Sequence, residues 1–557
     1  MRSSSAKLLT LGLVLPTAIL LPGCWPGIPI TLLAESSDSD GGSGGSPEIE
    51  APDPLFASQW HLENTGQLGG VPGQDANVVP AWKRGFLGSG RLIAVVDDGV
   101  EIGHEDLAAN VLPGASHNYA NGSSDPSPPP KMGDELIAHG TSVAGVAAGR
   151  GQNGIGISGA APRATLVGYN FLAPGSPGDT ATMIDAMTRN AAQVSVSNNS
   201  WGPSISGFPL PFPTSFHAAI QTGLDTGRGG LGVIYLFAAG NSGNFCGPGT
   251  VSPGDMAVFG YENTNNSGIA QNRGIMHVAA IGDDGVVANY STGGATVWVG
   301  AHSRGNNARA ITTTDRTGFE GYNPNLVGSD HADLNYTNTF NGTSSACPLA
   351  AGVVALMLSA NPGLTWRDVR VLLARSARPT DLGHPGWTTN GAGHPYNHRY
   401  GFGVVDAEAA VDAALAHAGL ASAKQVSQTS DTFLPIPDND LTGVSDSISF
   451  AGSGIADIEW VSVTFSAADH TWFADLRIVL RSPSGMQSTL AWPHALIDPS
   501  NPCNGSDPGG ITYLDWVFGA AGHLDEGADG LWTLTVSDEA GGDVGTFQTW
   551  TLTVHGH

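Results

Sequence analysis

Apolar runs and polar breaks divide the chain into strand-length and helix-length segments. Residues 92–96 and 233–239 are continuous apolar runs, which is typical of strands that are buried on both faces. Residues 141–148 are small enough for a closely packed helix, and residues 346–359 indicate a strongly apolar helix. Strands and helices that alternate in this way predict an α/β domain at residues 53–417, with a parallel sheet covered by helices on both faces.

The pattern changes after residue 417. Residues 418–435 are mostly polar, and we interpret them as a linker. From residue 436 to residue 557, apolar and polar positions alternate in short runs such as 458–465 and 531–536, with Gly, Asp and Pro between the runs. The second domain is therefore predicted to be an all-β sandwich or jelly roll.

The N-terminus has the features of an export signal. Two basic residues precede an apolar run at residues 8–21, which is too short to span a bilayer comfortably. The run ends in Leu21-Pro22-Gly23-Cys24, which resembles the lipobox of bacterial lipoproteins. This resemblance implies that residues 1–23 are a signal peptide and that Cys24 is lipidated, in a protein facing the outer membrane or the cell surface. The alternative is an ordinary secretory signal that is cleaved near Ala34.

Composition adds a strong negative charge to this picture. The chain has 557 residues, with 49 acidic and 22 basic side chains and a net charge of −27. Such a protein repels phosphate backbones, so we expect no nucleic acid partner, whereas basic peptides are drawn toward it. Residues 24–52 are acidic and rich in Gly and Ser, which predicts a flexible tether. We expect a monomer that contacts the membrane through its N-terminal lipid only.

Three separated residues supply the groups that a serine hydrolase needs. Asp97 follows the first buried strand, His139 precedes the small-residue helix, and Ser344 stands at the start of the apolar helix. The imidazole can take the proton of the hydroxyl, and the carboxylate can orient and stabilise the imidazole. Taken singly, the three are most simply a turn residue, a loop residue and a helix N-cap. Their order and their neighbours together favour a catalytic triad.

The segments around these residues resemble those of subtilisin-like serine proteases, and more closely those of the kexin/furin branch. The order Asp, His, Ser is the subtilisin order. Further similarity in the first domain lies in residues 53–62, 97–99, 200–203, 227–232, 364–368 and 400–406. The second domain resembles the P domain of kexin-type proteases through residues 476–485, 530–536 and 545–552. The resemblance implies a subtilisin-like catalytic domain followed by a P domain at residues 436–557.

The same resemblance assigns roles to individual residues. Asn241 matches the asparagine of the oxyanion hole, whose amide stabilises the tetrahedral intermediate. Ser200, Trp201 and Gly202 match the segment that pairs with an extended polypeptide substrate. Asp98 matches a residue that contacts a basic side chain in the second specificity pocket. The implied reaction is peptide-bond hydrolysis through an acyl-enzyme intermediate.

The resemblance also implies a calcium site near the start of the first domain. Carboxylate, amide and carbonyl oxygens are the ligands that Ca²⁺ prefers. The matching positions are the side chains of Asp53, Asp106 and Asn153 and the carbonyl groups of Arg150, Ile155 and Ile157. The alternative is that Asp106 caps a helix and Asn153 only turns a loop.

The chain departs from the kexin/furin pattern at the first specificity pocket. Residues 204–206 read Ser-Ile-Ser where the pattern has acids, and Phe259 replaces an expected aspartate. A buried guanidinium without a carboxylate partner is costly, so we predict a broad cleavage preference, hydrophobic or mixed. The carboxylates that could compensate are those of Asp134, Glu135 and Asp255.

A second departure concerns maturation. Related enzymes carry a long propeptide that assists folding, whereas only the tether separates Cys24 from Asp53. We therefore expect no encoded prodomain and folding that needs none in cis.

The remaining candidates are cysteines and histidines. Cys347 lies in the apolar helix and is expected to be a small buried thiol. Cys246 and Cys503 could form a disulfide in an exported protein, and sequence alone leaves this open. We expect structural roles rather than zinc binding for His384, His394 and His398.

Three functions compete on this evidence. The first is a membrane-tethered endopeptidase, which the complete triad and Asn241 favour. The second is a surface binding protein that recognises a partner through its β-domain, with proteolysis secondary or lost. The third is an esterase, since ester hydrolysis uses the same acyl chemistry, although the extended-strand segment favours peptides. The second domain is expected to stabilise the first by packing against it, with an independent adhesion module as the alternative.

Overall fold

The computed structural model describes residues 52–130, 137–203, 207–244, 253–260, 262–306, 309–323, 330–494, 496–498, 501–505 and 512–557. The predicted signal peptide, Cys24 and nearly all of the tether lie outside these residues. So do Cys246 and residues 204–206, and the side chain of Cys503 is not described.

A six-stranded parallel sheet forms the centre of the first domain, with strand order β2-β1-β3-β4-β5-β6. All five residues of β1 are buried, as expected for a strand covered on both faces. The sheet strands are β1 (Leu92–Val96), β2 (Thr165–Tyr169), β3 (Val194–Asn199), β4 (Ile234–Ala238), β5 (Ile275–Ile281) and β6 (Val297–His302). Short pairs flank the sheet, namely β7 (Ile311–Thr314) with β8 (Tyr336–Phe340) and β9 (Thr388–Thr389) with β10 (Pro395–Tyr396).

Helices surround this sheet and confirm the predicted α/β architecture. They are α1 (Val78–Lys83), α2 (His139–Ala148), α3 (Thr180–Thr188), α4 (Thr214–Thr226), α5 (Pro253–Val258), α6 (Thr343–Ala360), α7 (Trp366–Arg375) and α8 (Ala407–Ala416). Helix α6 is apolar enough to cross a membrane, yet 89% of it is buried inside the protein, so it is a core helix. Cys347 on this helix is the expected buried thiol.

The second domain is a β-sandwich of two four-stranded antiparallel sheets, as predicted. One sheet has the order β11-β20-β13-β18 and the other has the order β12-β19-β14-β15. The strands are β11 (Lys424–Ile436), β12 (Asp440–Phe450), β13 (Ile458–Ala467), β14 (Leu476–Arg481), β15 (Gln487–Ala491), β16 (Leu496–Asp498), β17 (Asn501–Gly505), β18 (Tyr513–Ala520), β19 (Gly530–Asp538) and β20 (Gly545–Gly556).

The predicted linker at residues 418–435 is wrong for most of its length. Strand β11 begins at Lys424 and pairs with β20 along the edge of the sandwich. Most of its side chains are exposed or half-buried, which explains the polar sequence. The edge position also tolerates Pro435, since an edge strand leaves some N–H positions without a ladder partner.

The two domains share their hydrophobic cores and belong to one compact unit. Trp460, Met486 and Leu524 of the sandwich belong to the main core of the first domain. The guanidinium of Arg370 lies between two indoles, 3.9 Å from the ring centre of Trp298 and 4.4 Å from that of Trp460. The packing supports a stabilising role of the second domain rather than an independent module on a hinge.

Candidate active site

The fold brings Asp97, His139 and Ser344 to one end of the sheet. Asp97 directly follows β1, His139 is the first residue of α2, and Ser344 is the second residue of α6. Gly140 allows α2 to begin against the end of β1, because a Cβ atom there would lie 2.2 Å from the carbonyl oxygen of Gly99. The small residues that predict a closely packed helix are thus what brings the imidazole to the carboxylate.

Asp97 holds His139 in a defined orientation. Its Oδ1 atom lies 2.8 Å from Nδ1 of His139, and the Asp98 N–H donates to the same oxygen at 2.8 Å. Asp97 is 1% exposed, so water does not compete for this contact. Since Nδ1 faces a carboxylate, it carries the ring proton, and Nε2 is left as the basic nitrogen.

Asp98 caps the helix that carries the imidazole. Its two carboxylate oxygens accept hydrogen bonds from the N–H groups of His139 at 3.1 Å and Gly140 at 2.7 Å. A carboxylate at this position satisfies free N–H groups and faces the positive end of the helix. The predicted contact of Asp98 with substrate stays a prediction, and the capping role is one that the sequence did not reveal.

Asp98 also contributes to the basicity of His139. Burial lowers the pKa of His139, but the charge and hydrogen bond of Asp97 and the charge of Asp98 outweigh it and raise the pKa to about 9. Because the base must be neutral, kcat/KM is expected to fall as the pH drops below this pKa. Replacing Asp98 with Asn removes one negative charge and should move this limb to lower pH, as a pH–rate profile would measure. If the acidic limb of the pH–rate profile did not move, Asp98 would not contribute to the basicity of His139. Thermal melting of the variant checks that α2 stays folded.

Ser344 lies beside both the imidazole and the substrate segment. It lines a cavity of about 400 Å³ together with His139, Asn241 and Tyr322. In this conformation its hydroxyl donates to the carbonyl oxygen of Ser200 at 3.2 Å instead of to His139. Catalytic hydrogen bonds are often long or misaligned in free enzymes and tighten when substrate binds.

Thr343 fixes the orientation of the Asn241 side chain. Its Oδ1 atom accepts hydrogen bonds from the N–H and the hydroxyl group of Thr343, at 2.8 and 2.9 Å. Because a backbone N–H only donates, the oxygen must face Thr343, and the NH₂ group faces the other way. Asn241 lines the cavities on both sides of Ser344. The role of Thr343 in orienting Asn241 was not predicted from the sequence, although Thr343 stands next to Ser344.

Removing the Asn241 amide should slow turnover selectively. We expect Asn241→Ala to lower kcat by about 10²–10³-fold with little change in KM, because the amide contacts charge that develops only in the transition state. Steady-state kinetics on a peptide substrate measures this effect. A change in KM alone would contradict the oxyanion role.

The segment Ser200-Trp201-Gly202 forms one wall of a second cavity, of about 150 Å³. Trp201 is fixed by Phe171 and Phe237, with ring centres 5.1 and 5.3 Å away. None of the described residues around this cavity is a carboxylate; they are Ser200–Pro203, Phe237–Asn241, Thr264, Ser267, Ile269, His277, Thr343 and Ser344.

The carboxylates expected to compensate for the missing pocket acids are otherwise engaged or not described. Asp255 accepts from Arg477 of the sandwich at 2.6 Å, and Asp134 and Glu135 lie outside the described residues. Phe259 stacks on Trp492 of the sandwich, with ring centres 4.9 Å apart. Position 259, where the kexin/furin pattern has a pocket acid, therefore contributes to the packing between the two domains in this protein.

Three of the predicted calcium ligands, Asp53, Asp106 and Asn153, lie together at one loop. Asp53 accepts from the N–H groups of Gln152, Asn153 and Gly154, and Asp106 accepts from the Asn153 amide at 2.6 Å and the Ile157 N–H at 2.7 Å. Both carboxylates are buried. Burial is the main cause that raises the pKa of Asp106 to about 6, and the negative charge of Asp53 adds to it. Two buried carboxylates beside a turn are ligands that a hard cation prefers, whereas the Asn153 oxygen accepts from the Ile155 N–H at 3.1 Å. Across the described part of the chain, no cluster of three His, Cys, Asp or Glu side chains could hold a metal.

The three loop histidines contact protein groups. His384 bonds the Asn397 amide at 3.0 Å, and His394 bonds Asp525 at 2.7 Å. His398 accepts from the Thr489 N–H at 3.2 Å. These contacts support the structural roles that were predicted for them.

Comparisons with known proteins identify the families of both domains. Residues 88–403 match the Subtilase family, and residues 458–554 match the Proprotein convertase P-domain. The Aeromonas extracellular serine protease of Aeromonas sobria is 33% identical over 95% of this chain and 90% of its own. Proprotein convertase subtilisin/kexin type 4 of Mus musculus is 32% identical over 90% of this chain and 70% of its own.

Solved structures extend the similarity to three dimensions. The crystal structure of the serine protease of Aeromonas sobria matches with a TM-score of 0.81 and 30% identity, over 94% of this chain and 99% of that chain. The same protease in complex with the chaperone ORF2 matches with a TM-score of 0.80 and 29% identity, over 91% of this chain and 95% of that chain. The chain spans 64% and 57% of two PC3-like endoproteases of Hydra vulgaris. This chain therefore belongs to the subtilase family, carries a Proprotein convertase P-domain and is related to the kexin/furin-type convertases.

Proposed function

We propose that this protein is an exported serine endopeptidase that hydrolyses polypeptides through Asp97, His139 and Ser344. The observation that carries the proposal is the 2.8 Å contact between Asp97 and His139 beside a cavity that His139 shares with Ser344. His139 takes the proton of the Ser344 hydroxyl as the oxygen attacks the carbonyl carbon, and later gives it to the leaving amine. Water then hydrolyses the acyl-enzyme by the same route in reverse order.

The oxyanion of each tetrahedral intermediate lies between two donors. One is the Asn241 amide, and the other is the N–H of Ser344 at the start of α6, where backbone N–H groups have no partner within the helix. The substrate lies extended along Ser200-Trp201-Gly202, as in β-strand addition. A Cβ atom at Gly202 would meet no atom within 4 Å, which leaves that edge open for a peptide.

The cleavage preference is broad rather than dibasic. The second cavity has no carboxylate among its described lining residues, and the expected acid at position 259 is a phenylalanine turned to the P domain. We therefore expect cleavage after hydrophobic or mixed residues. Cleavage-site profiling on a peptide library, with Ser344→Ala as control, tests both proposals. Dominant cleavage after Lys-Arg would overturn the preference, and identical profiles from both proteins would overturn the endopeptidase.

Calcium binding is proposed at the loop beside Asp53. Asp53, Asp106 and Asn153 would hold the ion with the carbonyls of Arg150, Ile155 and Ile157, and the ion would offset two buried negative charges. Chelation with EGTA is expected to lower Tm by several degrees, and Ca²⁺ rather than Mg²⁺ should restore it. The variant Asp106→Asn should lose this response, whereas an unchanged Tm in EGTA would contradict the site.

Export and anchoring remain proposals about the N-terminus. Relatives include an extracellular protease, which supports export. We propose that Cys24 carries the lipid. Metabolic labelling with a palmitate analogue should mark the wild type and not Cys24→Ser.

A further inference from the structure

A buried polar cluster joins the P domain to the wall of the second cavity. It consists of His494 on the P domain and Gly207, Glu262 and Asn266 on the catalytic domain. His494 is 8% exposed, Asn266 is 1% exposed and Glu262 is 0% exposed. None of these residues lines the cavity or takes part in the triad chemistry.

The hydrogen bonds of His494 define its charge. Its Nδ1 atom lies 2.8 Å from the carbonyl oxygen of Trp492, and its Nε2 atom lies 2.8 Å from that of Gly207. Carbonyl oxygens only accept, so both ring nitrogens must donate. A neutral imidazole has one N–H, and only the imidazolium has two. The geometry therefore places a positive charge on this ring.

Glu262 supplies the matching negative charge. Its carboxylate accepts from the Gly207 N–H at 3.1 Å, the Asn266 amide at 3.0 Å and its neighbour Asn263 N–H at 3.2 Å. Burial raises the pKa of Glu262, and the charge of His494 and these donors oppose that rise. Tyr513 on β18 also faces Glu262, but burial raises its pKa, so it stays neutral. Gly207 thus lies between the two charges, donating to one and accepting from the other.

The same cluster holds the segment that forms the cavity wall. Thr264 and Ser267 line the cavity, and they flank Asn265 and Asn266 in the chain. The Asn266 amide also donates to the Gly207 carbonyl at 3.3 Å. From the P domain, Leu490 and Gly519 accept from the side chain of Asn265 at 3.4 and 3.1 Å. The wall is therefore fixed jointly by both domains.

We propose that His494 is a positioning residue for the substrate pocket and that it acts as a buried imidazolium tying the P domain to the pocket wall. The proposal rests on the proposed endopeptidase function. Replacing the ring by a neutral side chain takes one of the two carbonyl contacts away and leaves Glu262 without its counter-charge. The wall at Thr264 and Ser267 then loosens, which weakens substrate binding without touching Asp97, His139 or Ser344.

Kinetics of His494→Gln test the proposal against a matched control. A glutamine side chain is neutral and has both its N–H donors on one nitrogen, so it does not reproduce the two donor nitrogens of the ring. We expect KM for a peptide with a large apolar residue before the scissile bond to rise about tenfold, the usual size for a hydrogen bond to a charged group. The kcat value should stay within about twofold. The control is His470→Gln, since His470 is also buried in the P domain and bonds Asp538 at 3.2 Å. It should lower Tm without raising KM.

The comparison of the two variants separates positioning from general loosening. An equal rise of KM in His470→Gln, or an unchanged KM in His494→Gln, would overturn the proposal. If His494→Gln does not fold, ¹⁵N NMR of the wild-type ring decides, because two protonated nitrogens at neutral pH support the proposal and one overturns it. Failure of the wild type to cleave any peptide would instead overturn the proposed function.

Discussion

Replacing Ser344 with Ala should abolish peptide hydrolysis, with a loss in kcat on the order of 10⁶-fold. The substitution removes the hydroxyl oxygen that forms the acyl-enzyme in the proposed mechanism, while Asp97, His139 and Asn241 keep their contacts. The remaining rate comes from substrate binding and the oxyanion donors alone, which exceed the rate in water by about 10³–10⁴-fold. Ser344 is 9% exposed and alanine fits its place, so the folded state should persist.

The matched control is Ser359→Ala on the same helix. The Ser359 hydroxyl donates to the Leu356 carbonyl oxygen at 2.7 Å, near the opposite end of α6 from the active site. This variant should retain wild-type kcat/KM and a similar Tm. If the Ser344→Ala variant hydrolysed peptide much faster than the expected residual rate, the nucleophile would be a different residue.

Replacing Trp460 with Ala should destabilise the whole protein by about 3–5 kcal/mol, although Trp460 lies in the P domain. The indole is 3% exposed and belongs to the main core of the catalytic domain. It also covers the guanidinium of Arg370, which burial makes less basic, lowering its pKa to about 9. Removing the indole leaves a cavity and takes one of two aromatic faces from a buried cation.

Denaturant unfolding measures this loss of stability. The number of transitions in the unfolding curve also shows whether the two domains unfold together. Because the domains share a core, both should unfold in one transition, with near-UV circular dichroism and activity lost together. The control Leu531→Ala removes a P-domain side chain that is 58% exposed and should change stability by no more than about 0.5 kcal/mol. Two separate transitions in the wild type would show that the P domain is an independent module.

The parts of the fold that follow from local pattern were predictable. Continuous apolar residues marked β1, and small residues marked α2, so the positions of Asp97 and His139 at element ends followed from sequence. Strand β11 was mistaken for a linker because its side chains face solvent on an edge, where polar residues cost nothing. The hydrophobic pattern of a sequence indicates which residues are buried. An edge strand with polar side chains on both faces buries few of them, so the pattern does not identify it.

Residues that act through long-range contacts were not predictable in the same way. Asp98 was assigned to substrate, yet both its oxygens cap α2, and no local signal distinguishes these uses. The partner of Phe259 is Trp492, and the partner of Gly207 is His494, each more than 200 positions away in the chain. Such pairs arise only when the P domain packs on the catalytic domain, so a single sequence carries no pattern that joins them.

Covalent labelling with a fluorophosphonate, followed by mass spectrometry of the labelled peptide, tests the joint action of residues 97, 139 and 344 most directly. The reagent phosphonylates only a serine that a nearby base has activated. We expect one adduct, on the peptide that contains Ser344, and a labelling rate that falls by orders of magnitude in His139→Ala. An adduct on another residue, or an undiminished rate in His139→Ala, would contradict the triad.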